Sequence, residues 1–147
     1  MRNAPIKTVI VFNASDDTVE MLKALLTHLG YRAVDGEVDR VKSGETNFIE
    51  LIEKYQPDAM IWDIAPPYDK NWNFFQLVQA ARPLEGCAIV LTTTHKQHLD
   101  SLIGRDSGAI EIVGKPYDLN IIVDAVSRGI EDRDIAGPRA LRQNRST

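Results

Sequence analysis

The chain has 147 residues, a net charge of −4, 26% charged residues and one cysteine. A length in this range lets one core bury roughly 68–70% of the unfolded surface, so one domain needs no staple. The acidic balance lacks the basic footprint of a nucleic-acid-binding domain, no stretch approaches the ~18 apolar residues of a membrane helix, and Cys87 alone cannot close an internal disulfide.

Met1 to Pro5 lack the apolar stretch and small-residue cleavage site of a signal peptide, so a soluble cytoplasmic protein is expected. Ile6 to Phe12 then read as a buried strand, short and rich in β-branched residues. Asn13 and Ala14 follow, and Asp17 with Glu20 three residues on reads as a capping box. The helix it opens carries Val19, Leu22, Leu25, Leu26 and Leu29 at spacings of three and four, with Gly30 placed to end it. His28 lies outside that stripe and reads as a surface residue.

Tyr31 to Val34 form a weaker strand, placed by its position between two helices. Phe48, Leu51, Ile52 and Tyr55 make a second helical stripe, stopped before Pro57. Ala59 to Trp62 are a strand that delivers Asp63 to its end, and Trp62, pointing to the opposite sheet face, reads as core. From Ala65 to Trp72 a loop containing Pro66 and Pro67 is expected. Two readings of it stand: a lid or docking element presenting Tyr68 and Trp72, or simple packing of Trp72 beside Phe74 and Phe75.

Phe74, Leu77, Val78 and Ala81 form the third stripe, closing at Arg82-Pro83. Cys87 heads the strand Ala88 to Leu91 as a buried free thiol, and Thr92 follows it. A fourth helix has Leu99, Leu102 and Ile103 on one face, with His95 and His98 as surface residues lacking a third metal ligand. Ala109 to Val113 are the last strand, followed by Lys115-Pro116, and Asp118 caps a helix carrying Leu119, Ile122, Val123, Val126 and Ile130. Beyond Asp132 the apolar pattern stops, which predicts a domain over 1–132 and a flexible tail over 133–147.

Strict strand–helix alternation predicts a doubly wound, five-stranded parallel α/β sheet of flavodoxin type, with functional groups at the carboxyl ends of the strands. Asp63, Thr92 and Lys115 all emerge there. Together with Pro67, Gly108-Ala109 and the ordered βα alternation, they make residues 6–131 resemble the receiver domain of bacterial response regulators, the CheY-like family.

That resemblance implies that Asp63 accepts a phosphoryl group, with Thr92 donating its hydroxyl to a phosphoryl oxygen and Lys115 pairing with another. It also implies a histidine kinase or histidine phosphotransfer protein as donor, an output through protein contacts, and no enzyme activity beyond weak self-phosphorylation and dephosphorylation. In the family Mg²⁺ is held by the acceptor Asp, by acidic residues after the first strand, and by the main-chain carbonyl two residues past the Asp. Here that carbonyl belongs to Ala65, and the acidic positions are Asn13, a poor ligand, and Ala14, which has no side-chain oxygen, so metal affinity is expected to be weak. Asp16 bending back is the alternative ligand.

Two further departures mark the chain as an atypical member. Ile112 stands where many receivers carry a Tyr or Phe that follows the Thr hydroxyl, and the loop after Asp63 is longer than usual. A phosphorylation-independent pseudo-receiver is therefore the competing reading. A nucleotide- or flavin-binding protein is a third, disfavoured because Asn13 to Asp17 contain no glycine and two acids.

Overall fold

Thr8–Phe12 (β1) is buried at every residue, and its alternating side chains serve two separate cores. Val9 and Val11 point to one face of the sheet, Ile10 and Phe12 to the other. That is why the run is continuously apolar rather than alternating: a parallel strand covered on both faces has no solvent side. The computed structural model of the chain describes residues 5–80, 86–103, 110–114 and 118–146, and the side chains of these except at 110–114 and 136–146.

The other strands are Arg32–Asp35 (β2), Ala59–Ile64 (β3), Ala88–Thr93 (β4) and Ile110–Gly114 (β5). They form one parallel sheet in the order β2-β1-β3-β4-β5. Ile6, expected in the first strand, lies before β1 and is 71% exposed. The expected Ala109 start of the last strand lies outside the described residues, as do Arg82-Pro83 and Ala81.

Helix Asp16–His28 (α1) starts from Ser15, whose side chain accepts from the Thr18 amide at 3.3 Å. The expected capping box at Asp17 and Glu20 is therefore displaced: Asp16 and Asp17 occupy the first turn, where a carboxylate complements the helix dipole. Gly30 closes the helix at φ +97°, and Tyr31 donates back to the Leu26 carbonyl at 3.0 Å. Leu29, placed in the stripe by spacing, is the cap residue and is 53% exposed.

A five-residue helix, Val38–Lys42 (α2), was not expected from the sequence; Val38 and Val41 anchor it. Phe48–Tyr55 (α3) is capped by Asn47 accepting from the Glu50 amide at 3.1 Å. The next helix, Tyr68–Gln79 (α4), begins inside what reads as a loop, so the connection after β3 is only Ala65 to Pro67. Its buried face is Trp72, Phe75 and Val78, while Leu77 is 74% exposed. Trp72 stacks on Phe75 at 5.8 Å, and Phe75 meets Trp62 at 5.4 Å, so Trp72 is core rather than lid.

Lys96–Ile103 (α5) buries Leu99. Leu119–Ser146 (α6) is opened by Asp118, whose carboxylate accepts from the Asn120 amide at 2.9 Å, and buries Ile122, Val123, Val126 and Ile130. Helices α1 and α6 cover one sheet face, and α2, α3, α4 and α5 the other. The backbone of α6 stays helical past the expected boundary at 132, through Gly137-Pro138.

Polar contacts anchor residues 133 and 134 of α6. Arg133 Nη1 donates to Asp58 Oδ1 at 3.0 Å and to the Asp58 and Gly86 carbonyls at 3.3 Å. Asp134 pairs with Arg133 and with Lys7. No helix among the described residues is long and apolar enough to cross a membrane.

Candidate functional site

The carboxyl edge of the sheet is assembled by the β3–β4 ladder, in which Asp63 pairs with Thr92 and Ile64 with Thr93. Asp63 and Thr92 thus lie within their strands rather than just past them, one step from the end. Thr93 explains the extension: its hydroxyl, fully buried, donates to the Ile64 carbonyl at 2.9 Å and ties the last pair together.

Thr92 is 1% exposed and donates its hydroxyl to Asp63 Oδ1 at 2.6 Å, in the short range of a charge-assisted bond. Asp63 itself is half-buried. The alternation along β3 turns Trp62 and Ile64 toward the α4 core and Asp63 to the opposite side. Lys115 lies outside the described residues; β5, which precedes it, ends at Gly114 opposite Thr93. Ile112 pairs with Leu91 in the same ladder.

Asn13 is buried, and its Oδ1 accepts from the Ser15 amide at 2.8 Å. This Asx turn leads the chain from β1 into the Ser15 cap. Asp16 and Asp17 are exposed on α1. A cavity of about 210 Å³ opens beside this turn, lined by Asn13, Ala14, Asp16, Asp35, Glu37 and Arg40 among others. Arg40 bonds to Glu45 and Glu37, which together raise its pKa.

Several residues at this edge were not foreseen from the sequence. Asn71, on the first turn of α4, donates Nδ2 to the Ala65 carbonyl at 2.6 Å. Its Oδ1 accepts from Lys42 Nζ at 3.3 Å. Tyr68 hydrogen-bonds Thr94 Oγ1 through its hydroxyl and sets its ring against His95 and His98. His98 Nε2 lies 3.2 Å from Asp69 Oδ1, and the His98 amide donates to His95 Nδ1 at 3.1 Å. Both histidines are exposed, as expected. One signal was available: Pro67 followed by an acidic residue two positions on marks a helix start, which would have put Asn71 one turn above Ala65.

No family model matches the chain. Solved structures do resemble it. A transiently phosphorylated "switch" in bacterial signal transduction superposes with a TM-score of 0.67 at 18% identity, over 87% of this chain and 97% of that one. A response regulator from Thermotoga maritima gives 0.65 at 15% identity, over 86% and 99%. The chemotaxis protein CheY4 of Vibrio cholerae gives 0.63 at 18% identity, over 85% and 99%.

The fold is that of a receiver domain. This receiver fold places Asp63 and Thr92 together on the edge where doubly wound sheets carry their functional groups. The divalent cation that such domains use does not fit the residues present. A hard cation needs several oxygens, carboxylates among them. The Ala14 side chain has none, the Asn13 side-chain oxygen accepts from the Ser15 amide, and the Ala65 carbonyl accepts from Asn71. Among the described residues no group of three His, Cys, Asp or Glu is arranged to bind a metal.

Proposed function

We propose that the protein is an atypical receiver module of two-component signalling, in which Asp63 accepts a phosphoryl group and the output is a protein contact. The observation that carries this reading is the Asp63–Thr92 pair, a carboxylate and a buried hydroxyl 2.6 Å apart on neighbouring strands. An Asp63 oxygen attacks the phosphorus of a phosphohistidine, the P–N bond breaks, and the imidazole leaves with its electron pair and takes up a proton. Thr92 then turns its hydroxyl to a phosphoryl oxygen, and Lys115, the residue after β5, supplies a positive charge. The donor is a histidine kinase or a histidine phosphotransfer protein. The protein is a signalling component rather than an enzyme with turnover.

The test is intact-mass analysis after incubation with a small phosphodonor, and separately with a phosphorylated histidine phosphotransfer protein. Wild type gains one phosphoryl group and Asp63→Asn gains none. No Asp63-dependent gain from either donor would sink the proposal.

A second reading, an interaction module that works without phosphorylation, is favoured by one observation: Asn13 and Ala14 leave the edge without its acidic pair. It expects wild type and Asp63→Asn to bind a partner equally, before and after exposure to phosphodonor. The nucleotide- or flavin-binding reading gains no support, since the turn at Asn13 to Ser15 spends its polar groups on capping α1.

A further inference from the structure

Asn71 links the Ala65 carbonyl, six residues before it, to Lys42 at the end of α2. Asn71 reaches back from α4 to donate Nδ2 at 2.6 Å, shorter than the usual amide–carbonyl bond near 2.9–3.0 Å. Lys42, the last residue of α2, places its ammonium 3.3 Å from the other end of the same amide. A cation at Oδ1 draws electron density through the amide and strengthens its N–H as a donor. The carbonyl two residues past Asp63 therefore faces the positive end of a Lys42–Asn71 relay.

We infer that Asn71, backed by Lys42, stands in for the divalent cation at the Ala65 carbonyl, so that this edge works without metal. The inference rests on reading the edge as a phosphoacceptor site. Its logic is electrostatic. An ion at the Ala65 oxygen would sit against the Asn71 hydrogens and near an ammonium, with Asp63 as the anionic ligand and no carboxylate from Asn13 or Ala14. Lys42 and Asn71 are positioning residues here, acting on the carbonyl that borders the site.

Calorimetric titration with MgCl₂ at constant ionic strength tests this without any phosphodonor. Wild type shows no saturable binding through the millimolar range. Asn13→Asp with Ala14→Asp restores the carboxylates yet binds weakly, and adding Asn71→Ala tightens binding by about tenfold or more. Saturable millimolar binding by wild type, or a triple variant no tighter than the double, overturns the inference. Should Asn71→Ala unfold the protein, Lys42→Gln, at an exposed position, replaces it in the same background. It is expected to tighten binding severalfold, and unchanged affinity counts against the relay. A separate arm compares phosphorylation of wild type in EDTA and in Mg²⁺. Equal yields support metal-free operation; a strict Mg²⁺ requirement overturns it while leaving Asp63 as acceptor.

Discussion

Thr92 and Asp63 are Cα partners in the β3–β4 ladder and share a hydrogen bond of 2.6 Å between their side chains. Thr92→Val keeps the shape and the β-branch but removes the donor. A bond to a charged group is worth about 1.5–3 kcal/mol, and because Asp63 is only half-buried the loss should fall near the lower end. Urea unfolding reads it, and Thr92→Ser should recover most of the loss. Equal midpoints for wild type and Thr92→Val would show that the pair contributes nothing to folding.

Trp72 and Leu77 separate two readings of one helix. Trp72 is 7% exposed against Phe75, and Leu77 is 74% exposed. Trp72→Ala should cost about 3–5 kcal/mol, as large-to-small changes of buried aromatics do. Leu77→Ala should stay within about 0.5 kcal/mol of wild type. The reverse ranking in chemical denaturation would place the buried face of α4 elsewhere.

This contrast shows where the sequence is legible. The sheet strands were readable because β1, β3 and β4 each feed two cores and so appear as unbroken apolar runs. In α4, two stripes satisfy helical spacing, one through Phe74 and Leu77 and one through Trp72 and Phe75. The choice is made by Trp62, which lies across the core and cannot be seen locally. Helix α2 has only two apolar anchors and no period to detect. Asp63 and Thr92 were found because they interrupt apolar runs. Asn71 and Lys42 were missed because a single amide and a surface lysine stand out only when the fold brings them to Ala65.

Gly36 lies against the ring of Phe12. A Cβ built there would stand 2.3 Å from the ring, and Phe12 is itself fully buried beside Trp62. Gly36→Ala should cost about 1–3 kcal/mol through forced repacking, measured as a lowered unfolding midpoint with an unchanged far-UV spectrum.

Asp134 gives the protein an acid-sensitive contact. The hydrogen bond from Arg133 is the largest cause holding its carboxyl below the ordinary value of 3.8; burial opposes it, and the charges of Arg133 and Lys7 add to the lowering. A depressed folded value means that the contribution is present above the unfolded pKa and fades as pH falls through the folded one. Wild type should exceed Asp134→Asn modestly at neutral pH, the Asp134 side chain being half-exposed and salt-screened. The two should converge in strong acid. A gap that persists there would assign the effect to something other than this carboxylate.

Cys87 tests the alkaline side. Burial, the largest cause, pushes its thiol up to about 12 from 9.0, with Asp58 adding to the shift and Arg133 opposing it. The thiolate is the reactive form, so the folded protein should resist a thiol reagent at mildly alkaline pH and react once unfolded. Because the folded value is raised, this group's contribution is full below about 9 and declines as pH climbs toward 12. Rapid labelling of the native protein would contradict this.

Arg133 grips the sheet at the opposite end from Asp63, binding the residues that lead into β3 and β4, while Asp58 also accepts the Thr8 amide at the start of β1. Three neighbouring strands are thus fastened at their amino ends by one arginine and one aspartate, with no help from the carboxyl edge. Such a layout decouples the durability of the scaffold from the identity of the groups at its working rim. Asn13 and Ala14 sit on that rim, so the residues there can change while the fastening at Arg133 keeps the sheet in register.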